Sequence, residues 1–206
     1  MPDPITSPAS RPSPTGARRL HTVPPGTHAL GMWLFLAALM VLFVAGMLAY
    51  IIIRLTSAQA PPLQSLKMPL VLWLSTAAIL TSSYTIHRAV ENIRHERQDK
   101  FRQALVGTLL LAVPFFLAQG AGLASLLAQT AAMQQGGPLM KAVVFLVIVH
   151  ALHVVGGLVP LIVITRQAHA GRYDHEYHTP VENLARYWHF LDVVWLLMFG
   201  VFVVLG

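Results

Sequence analysis

The sequence predicts an all-α membrane protein, a bundle of five transmembrane helices with the N-terminus inside and the C-terminus outside. Of the 206 residues, 55% are hydrophobic and only 11% are charged, and the apolar residues gather in five long segments. These segments are continuously apolar, whereas the strands of a membrane barrel alternate. Backbone polar groups in hydrocarbon need partners within the same segment, so each segment is expected to be a helix.

The first 27 residues precede these segments and are expected to form a disordered cytoplasmic tail. They hold seven of the fourteen prolines and few large apolar groups, so they cannot bury enough apolar surface to fold. Arg18 and Arg19 stand ahead of the first apolar segment, as they would in a signal peptide. That segment lacks a cleavage-like exit, and we interpret it as a retained first span. Residues 28–206 then form the membrane domain.

Each apolar segment is long enough to cross a hydrocarbon core of about 30 Å at about 1.5 Å per residue. The predicted spans are Leu30–Ile53, Met68–His87, Gln103–Ala128, Leu139–Thr165 and Tyr187–Gly206. Small residues at helical spacing predict close helix contacts in three of them. These residues are Ala45 with Ala49, Ala118 with Gly122, Gly120 with Ala124, and the pair Gly156 and Gly157.

The distribution of Lys and Arg predicts the orientation. The tail, the second loop (88–102) and the fourth loop (166–186) hold three, five and three basic residues, against Arg54, Lys67 and Lys141 elsewhere. Because basic residues concentrate in cytoplasmic loops, the N-terminus is expected inside. Five spans then place the C-terminus outside.

The composition excludes several function classes. The chain has no cysteine, which excludes disulfides, thiolate copper centres, iron–sulfur clusters and covalent haem attachment through CxxCH. The net charge of +6 is dispersed between apolar spans rather than gathered with aromatic residues on one surface, so no nucleic-acid partner is expected.

Two histidines lie near the middle of the fourth span. His150 and His153 are three residues apart, on one helical face, and burial in the bilayer requires them to face protein or a polar cavity. They could bind a metal or haem, or hydrogen-bond neighbouring helices. Two axial haem ligands approach from opposite faces of the macrocycle, which neighbours on one helix cannot do. We therefore favour the structural interpretation.

The fifth span begins with a polar and aromatic run. His189 and Asp192 are three residues apart, so an ion-assisted pair along one helix face is possible, and Tyr187 with Trp188 suits a membrane interface. Asp192 is the only acid within a predicted span. A structural or subunit-contact role is favoured over proton handling, the usual alternative for an intramembrane carboxylate.

The two basic loops allow further interpretations. The second loop carries charges of both signs, which is typical of a solvated connection and would also suit anionic lipid headgroups. The fourth loop holds His169, His175 and His178 near two acids, but without the regular ligand spacing of a metal site.

Two runs resemble a known family: HALHVVGG at 150–157 and ENLARYWHFLDVVWLL at 182–197. Together with GMWLF at 31–35 and the segment LWLSTAAILTSSYTIHRAV at 72–90, they resemble subunit III of the haem–copper terminal oxidases in its short bacterial form. The matching positions are His150, His153, Gly156, Glu182, Tyr187, Trp188, His189, Asp192 and Trp195.

The resemblance implies a subunit without catalytic, cofactor-binding or metal-binding residues of its own. It implies packing beside oxidase subunits I and II, with haem and copper in those partners, and support of proton uptake. It further implies phospholipids held between a two-helix group and a larger group, structural, lipid or subunit contacts for the matching residues, and a bacterial inner membrane.

The sequence departs from the family pattern at two positions. Leu39 stands where the family commonly has an acid in the first span, and Gly122 lies near the position of a second acid. These departures leave open a divergent branch, such as the subunit III homologues found with nitric oxide reductases. A quinol oxidase subunit III is also an alternative, because the electron donor would bind to other subunits.

The alternative from another class is an autonomous haem-binding membrane enzyme that uses His87, His150, His153 and His189. A transporter is less favoured, because five spans offer no obvious inverted repeat.

Overall fold

The computed structural model describes residues 27–56, 70–132, 137–173 and 178–205, and their regular structure is helical. The five helices are α1 Thr27–Thr56, α2 Leu70–Arg94, α3 Gln98–Ala132, α4 Pro138–His169 and α5 Thr179–Leu205. The predicted all-α class is confirmed, with one helix for each predicted span. The predicted tail, apart from Thr27, lies outside the described residues.

Four of these helices, α1, α3, α4 and α5, are long and apolar enough to cross a bilayer. The described part of α2 is not among them, although the sequence predicts five spans. The predicted second span begins at Met68, outside the described residues, and the described part of α2 carries several hydroxyl side chains, including the buried Ser75, Thr76 and Ser82.

α2 and α3 continue as helices well into the predicted second loop. α2 ends at Arg94 and α3 begins at Gln98, so only residues 95–97 form the turn, in which Glu96 has a φ of 58°. Near this turn, Gln98 Nε2 donates to Tyr173 O at 3.1 Å and Arg102 Nε donates to Ala168 O at 3.1 Å, beside the last turn of α4. We call this region, formed by residues 88–102, 166–173 and 178–186, the basic end of the bundle.

α5 is the central helix. Half of its most apolar stretch is buried, against 28% in each of the other three candidate spans. It contacts α1, α2 and α4, and α3 packs against α2 and α4. At the end opposite the basic end, Arg54 Nε of α1 donates to Leu205 O of α5 at 2.6 Å, which satisfies a carbonyl in the last turn.

The helices are not divided into a separate pair and a larger group. Each described helix contacts at least two others, and these contacts connect all five. The lipid-holding cleft that the resemblance implies stays a prediction.

Glycines produce two close helix contacts. A Cβ at Gly46 of α1 would lie 2.7 Å from Leu146 Cδ2 of α4, and a Cβ at Gly157 of α4 would lie 2.9 Å from Tyr187 Cε1 of α5. The prediction of tight packing is thus supported at Gly157. It is wrong for the small residues Ala45, Ala49, Gly120 and Gly122, which are exposed, because helical spacing alone does not show which face meets a neighbour.

We predict that Gly157→Ala destabilises the protein by about 1–3 kcal/mol, since the added methyl group forces the Tyr187 ring to move. Thermal unfolding in detergent measures the effect. Gly156→Ala is the matched control, because its Cβ would meet only Tyr187 Oη, at an ordinary 3.5 Å. Equal stability of the two variants would contradict the close contact.

Candidate functional site

The two histidines of α4 have different surroundings. His150 is 2% exposed, its ring stacks on Trp195 with centroids 5.5 Å apart, and neither ring nitrogen has a hydrogen-bond partner. His153 is half-buried, and its Nδ1 is 2.7 Å from Val149 O of its own helix. Both rings meet the edge of Phe43 of α1. The expected hydrogen bonds to neighbouring helices are therefore not made by His150, nor by Nδ1 of His153.

Tyr187 connects three helices. Its hydroxyl donates to the backbone oxygen of His153 at 2.8 Å, its ring covers Gly157, and the ring stacks on Phe35 of α1. The peptide oxygen of His153 thus receives a side-chain hydrogen bond from α5. This contact supports a structural role for the tyrosine, whose phenol has an apolar ring and a polar tip.

Hydroxyl groups of α2 accept hydrogen bonds from the indole N–H groups of α5. Trp188 Nε1 donates to Ser82 Oγ at 3.2 Å, and Trp195 Nε1 donates to Thr76 Oγ1 at 3.1 Å. Ser82 Oγ in turn donates to Thr108 O of α3 at 3.3 Å. No role was predicted for these hydroxyls, although their recurrence along α2 indicates a polar face.

His189 pairs across the helix interface rather than along its own helix. Its Nδ1 lies 2.6 Å from Ser83 Oγ of α2, and its ring is 6.2 Å from that of His87. No hydrogen bond or ion pair joins it to Asp192 in the described part of the chain. The suggested pair of His189 and Asp192 is thus replaced by a contact with Ser83.

Asp192 is a buried acid on α5. Its side chain is 4% exposed and neither carboxylate oxygen makes a hydrogen bond, although Ser83 is close enough to interact with it. A buried polar group without a hydrogen bond costs roughly 1–3 kcal/mol, and a buried charge costs more. A group of this kind needs a compensating function or partner.

Glu182 forms an ion-pair network at the basic end. Oε1 accepts from Nη2 and Nε of Arg94 on α2 at 2.5 and 3.2 Å, and it lies 3.1 Å from Nε2 of His178. Oε2 accepts from Arg186 at 3.3 Å. Glu182 has 17% of its side chain exposed, so water screens this network less than an ordinary surface pair. The network connects the end of α2 to the start of α5.

The family model described as cytochrome c oxidase subunit III matches residues 17–206. The chain belongs to the cytochrome c oxidase subunit III family. The membership confirms the resemblance carried by the two runs on α4 and α5.

Named relatives in this family include bacterial and animal proteins. The subunit 3 of Thermostichus vulcanus is 28% identical over 189 residues, which are 88% of this chain and 89% of the relative. That of Synechocystis is 28% identical over 85% of this chain and 74% of its own length. That of Mus musculus is 30% identical over 67% of this chain, and the match spans half of the mouse protein.

The two positions that depart from the subunit III pattern differ in location. Leu39 is buried on α1 and belongs to the apolar core. Gly122 is exposed on α3, and nothing lies within 4 Å of where its Cβ would be. An acid at the first position would meet core residues, whereas one at the second would meet the surroundings of the bundle.

The candidate metal and haem ligands that the structure describes lie at separate places in the bundle. Among the described residues, no group of three or more His, Asp or Glu side chains could hold a metal ion. His87 contacts His189, while His150 and His153 share Phe43. In the fourth loop, His169 Nδ1 is 2.8 Å from Thr165 O and His178 pairs with Glu182, while His175 lies outside the described residues.

We predict that Glu182→Gln lowers stability by about 1 kcal/mol, because it removes the charge that the partly exposed Arg94 and Arg186 share. Chemical unfolding of the purified protein measures the change. Glu91→Gln is the matched control, since the Arg88–Glu91 pair is exposed and lies within one helix, and its loss should cost less than about 0.5 kcal/mol. A Glu182 effect no larger than the Glu91 effect would contradict the network.

Proposed function

We propose that this chain is the non-catalytic subunit III of an aerobic respiratory haem–copper oxidase. In this role it stabilises the catalytic subunit and supports proton uptake during oxygen reduction. The observation that carries the proposal is family membership over residues 17–206. The use of intramembrane polar groups to join helices is consistent with a subunit that holds no redox centre.

The surface of the bundle suits apolar partners on several sides. Large apolar side chains are exposed along α1, α3 and α4, among them Trp33, Leu110 and Leu152. Large apolar faces of this kind are covered by lipid or by another protein rather than by water. The proposed partners for these faces are oxidase subunits I and II and phospholipids. Haem and copper are assigned to the partner subunits, and this chain is proposed to bind no cofactor.

The second helix is proposed to be the fifth span. Its buried hydroxyls form hydrogen bonds with α5 and α3, so these polar groups do not have to face lipid. The eleven basic residues of the tail and the basic end favour a cytoplasmic location for both, in the inner membrane of a bacterium.

The named relatives favour cytochrome c oxidase over the alternatives. The three compared above are all called cytochrome c oxidase subunit 3. If the chain instead belonged to a quinol oxidase or a nitric oxide reductase, its partner subunits would be different. An autonomous haem enzyme is disfavoured because the ring of His150 is stacked against Trp195.

We predict that the tagged chain, extracted in mild detergent from respiring cells, elutes together with a haem-bearing oxidase core. Absorption spectroscopy detects the haem, and mass spectrometry identifies subunits I and II. A tagged multi-pass protein of the same membrane is the control for non-specific capture. Recovery of a stable chain without any oxidase subunit would contradict the proposal.

A second prediction concerns topology, and the absence of cysteine makes it direct because any introduced thiol is unique. Single substitutions Gln64→Cys, Asp99→Cys and Gly137→Cys are treated with a membrane-impermeant maleimide on spheroplasts. We expect Gln64→Cys and Gly137→Cys to react in intact spheroplasts, and Asp99→Cys to react only after permeabilisation. Labelling of Gln64→Cys and Asp99→Cys from the same side would show that α2 does not cross.

A further inference from the structure

The cations of the basic end fall into two groups. Arg94 at the end of α2 and Arg186 near the start of α5 pair with Glu182, and Arg88 of α2 pairs with Glu91. Four further basic residues are exposed around the start of α3 and the end of α4, and their side chains make no hydrogen bond or ion pair with any described residue. They are Arg97, Lys100, Arg166 and Arg172. The positive charge is thus balanced between α2 and α5 and unbalanced beside α3 and α4.

Arg102 holds the start of α3 against the end of α4. Its Nε donates to Ala168 O at 3.1 Å, and Gln98 Nε2 donates to Tyr173 O at 3.1 Å. A guanidinium group has five N–H donors, so the two Nη groups of Arg102 carry four more, and no partner for them occurs in the described part of the chain. Arg166 lies two residues before Ala168, so a second guanidinium group belongs to the same turn of α4.

Acidic side chains do not balance the charge of this region. Residues 96–102 and 166–173 hold five basic residues against two acidic ones, Glu96 and Asp99. Asp174 and Glu176 of the fourth loop lie outside the described residues. An excess of positive charge on one part of a surface attracts anions.

Exposed apolar side chains continue along α4 from Arg166. Val155, Val159 and Ile162 share one helix face with Arg166, at spacings of three and four residues, and between 41% and 58% of each is exposed. This face is not the one that contacts α5 through Gly157. It is therefore free to contact lipid or another polypeptide.

α3 presents a matching apolar surface. Leu110 and Val113 lie on the same side of α3 as Arg102, and both are exposed. On each helix the exposed apolar residues extend over eleven residues from the arginine, to Val113 on α3 and to Val155 on α4. Eleven residues of helix measure about 16 Å, and one leaflet of a hydrocarbon core is about 15 Å thick. The combined surface has the length of one acyl-chain layer, with positive charge at one end.

We call this combined region the α3–α4 surface. It consists of Arg102, Leu110 and Val113 of α3 with Val155, Val159, Ile162 and Arg166 of α4. We propose that the α3–α4 surface binds one anionic phospholipid of the leaflet at the basic end. Its phosphate group contacts Arg102 and Arg166, and its acyl chains lie along the apolar side chains.

The chemistry of the surface selects this occupant. Basic side chains at the ends of membrane helices attract anionic headgroups, and guanidinium groups bind phosphate through charge-assisted hydrogen bonds. A zwitterionic headgroup carries its own cation and gains less from the excess charge. A soluble anion or an acidic loop in water would leave the adjacent apolar side chains unused. The proposal rests on the proposed role of phospholipids as partners of this chain, and it adds the lipid class and the residues that bind it.

Fluorescence quenching by brominated lipids tests the proposal, because it measures the lipid composition at one chosen position of the complex. The chain has no cysteine, so Val159→Cys supplies its single labelled residue, and the unsubstituted complex gives the background from partner subunits. The vesicles contain phosphatidylglycerol as the minority lipid in phosphatidylcholine, with one or the other brominated. We expect phosphatidylglycerol to be enriched about fivefold over the bulk at this position, the factor for one basic side chain near an anionic headgroup.

Leu80→Cys on α2 is the matched control, because Leu80 is exposed and lies a similar distance from Arg88, which is already paired. The lipid around it should have the bulk composition. Arg166→Gln should remove most of the enrichment at position 159, whereas Arg88→Gln should leave it in place. Equal enrichment at the two labelled positions, or an enrichment that Arg166→Gln does not reduce, would overturn the proposal.

A second measurement needs no substitution and so does not depend on how the variants fold. A cryo-electron microscopy map of the wild-type complex in the same lipid mixture is expected to show a headgroup within hydrogen-bond distance of Arg102 and Arg166. Protein density over both arginines, or no lipid at this position, would overturn the proposal. A chain that purifies without subunits I and II would instead contradict the oxidase assignment, and the quenching measurement would still apply to that chain.

Discussion

Lipid offers no hydrogen bonds, so a polar side chain inside a bilayer has to be partnered by protein, and this constraint explains why α5 lies at the centre of the bundle. The side chains of Trp188, His189 and Trp195 form hydrogen bonds with hydroxyl groups of α2. The hydroxyl of Tyr187 donates a hydrogen bond to a backbone oxygen of α4. α2 is the least apolar of the helices for the same reason, because its hydroxyls are the partners that α5 requires. The basic end adds the ion pairs of Glu182, which fix the start of α5 against the end of α2.

The helical class and the approximate position of each helix were predictable because long charge-free segments admit few other structures in lipid. The ends were less predictable. α2 and α3 extend past the apolar segments into the charged loop, where Arg102 and Gln98 bond to the chain around the end of α4. Hydropathy identifies the apolar part of a helix, and it does not show that the helix continues into the charged residues beyond that part.

The partners of the polar residues were largely beyond prediction from one sequence. Spacing of three residues places His150 with His153, and His189 with Asp192, on one helix face, yet says nothing about the neighbouring helix. Glu182 and Arg94 are 88 positions apart, and Trp195 and Thr76 are 119 apart. Such contacts depend on how whole helices rotate and cross. Eight of the nine positions that match the family motif are nevertheless buried or in contact with another helix.

The central claim is that the polar side chains within this bundle join helices and do not bind a redox cofactor. The most direct test is to dissociate the chain from its complex with a stronger detergent, confirm that it stays helical by circular dichroism, and determine its haem and metal content per polypeptide. The account predicts a colourless chain with far less than one haem or metal ion per molecule. A stoichiometric redox cofactor retained by the isolated chain would contradict it.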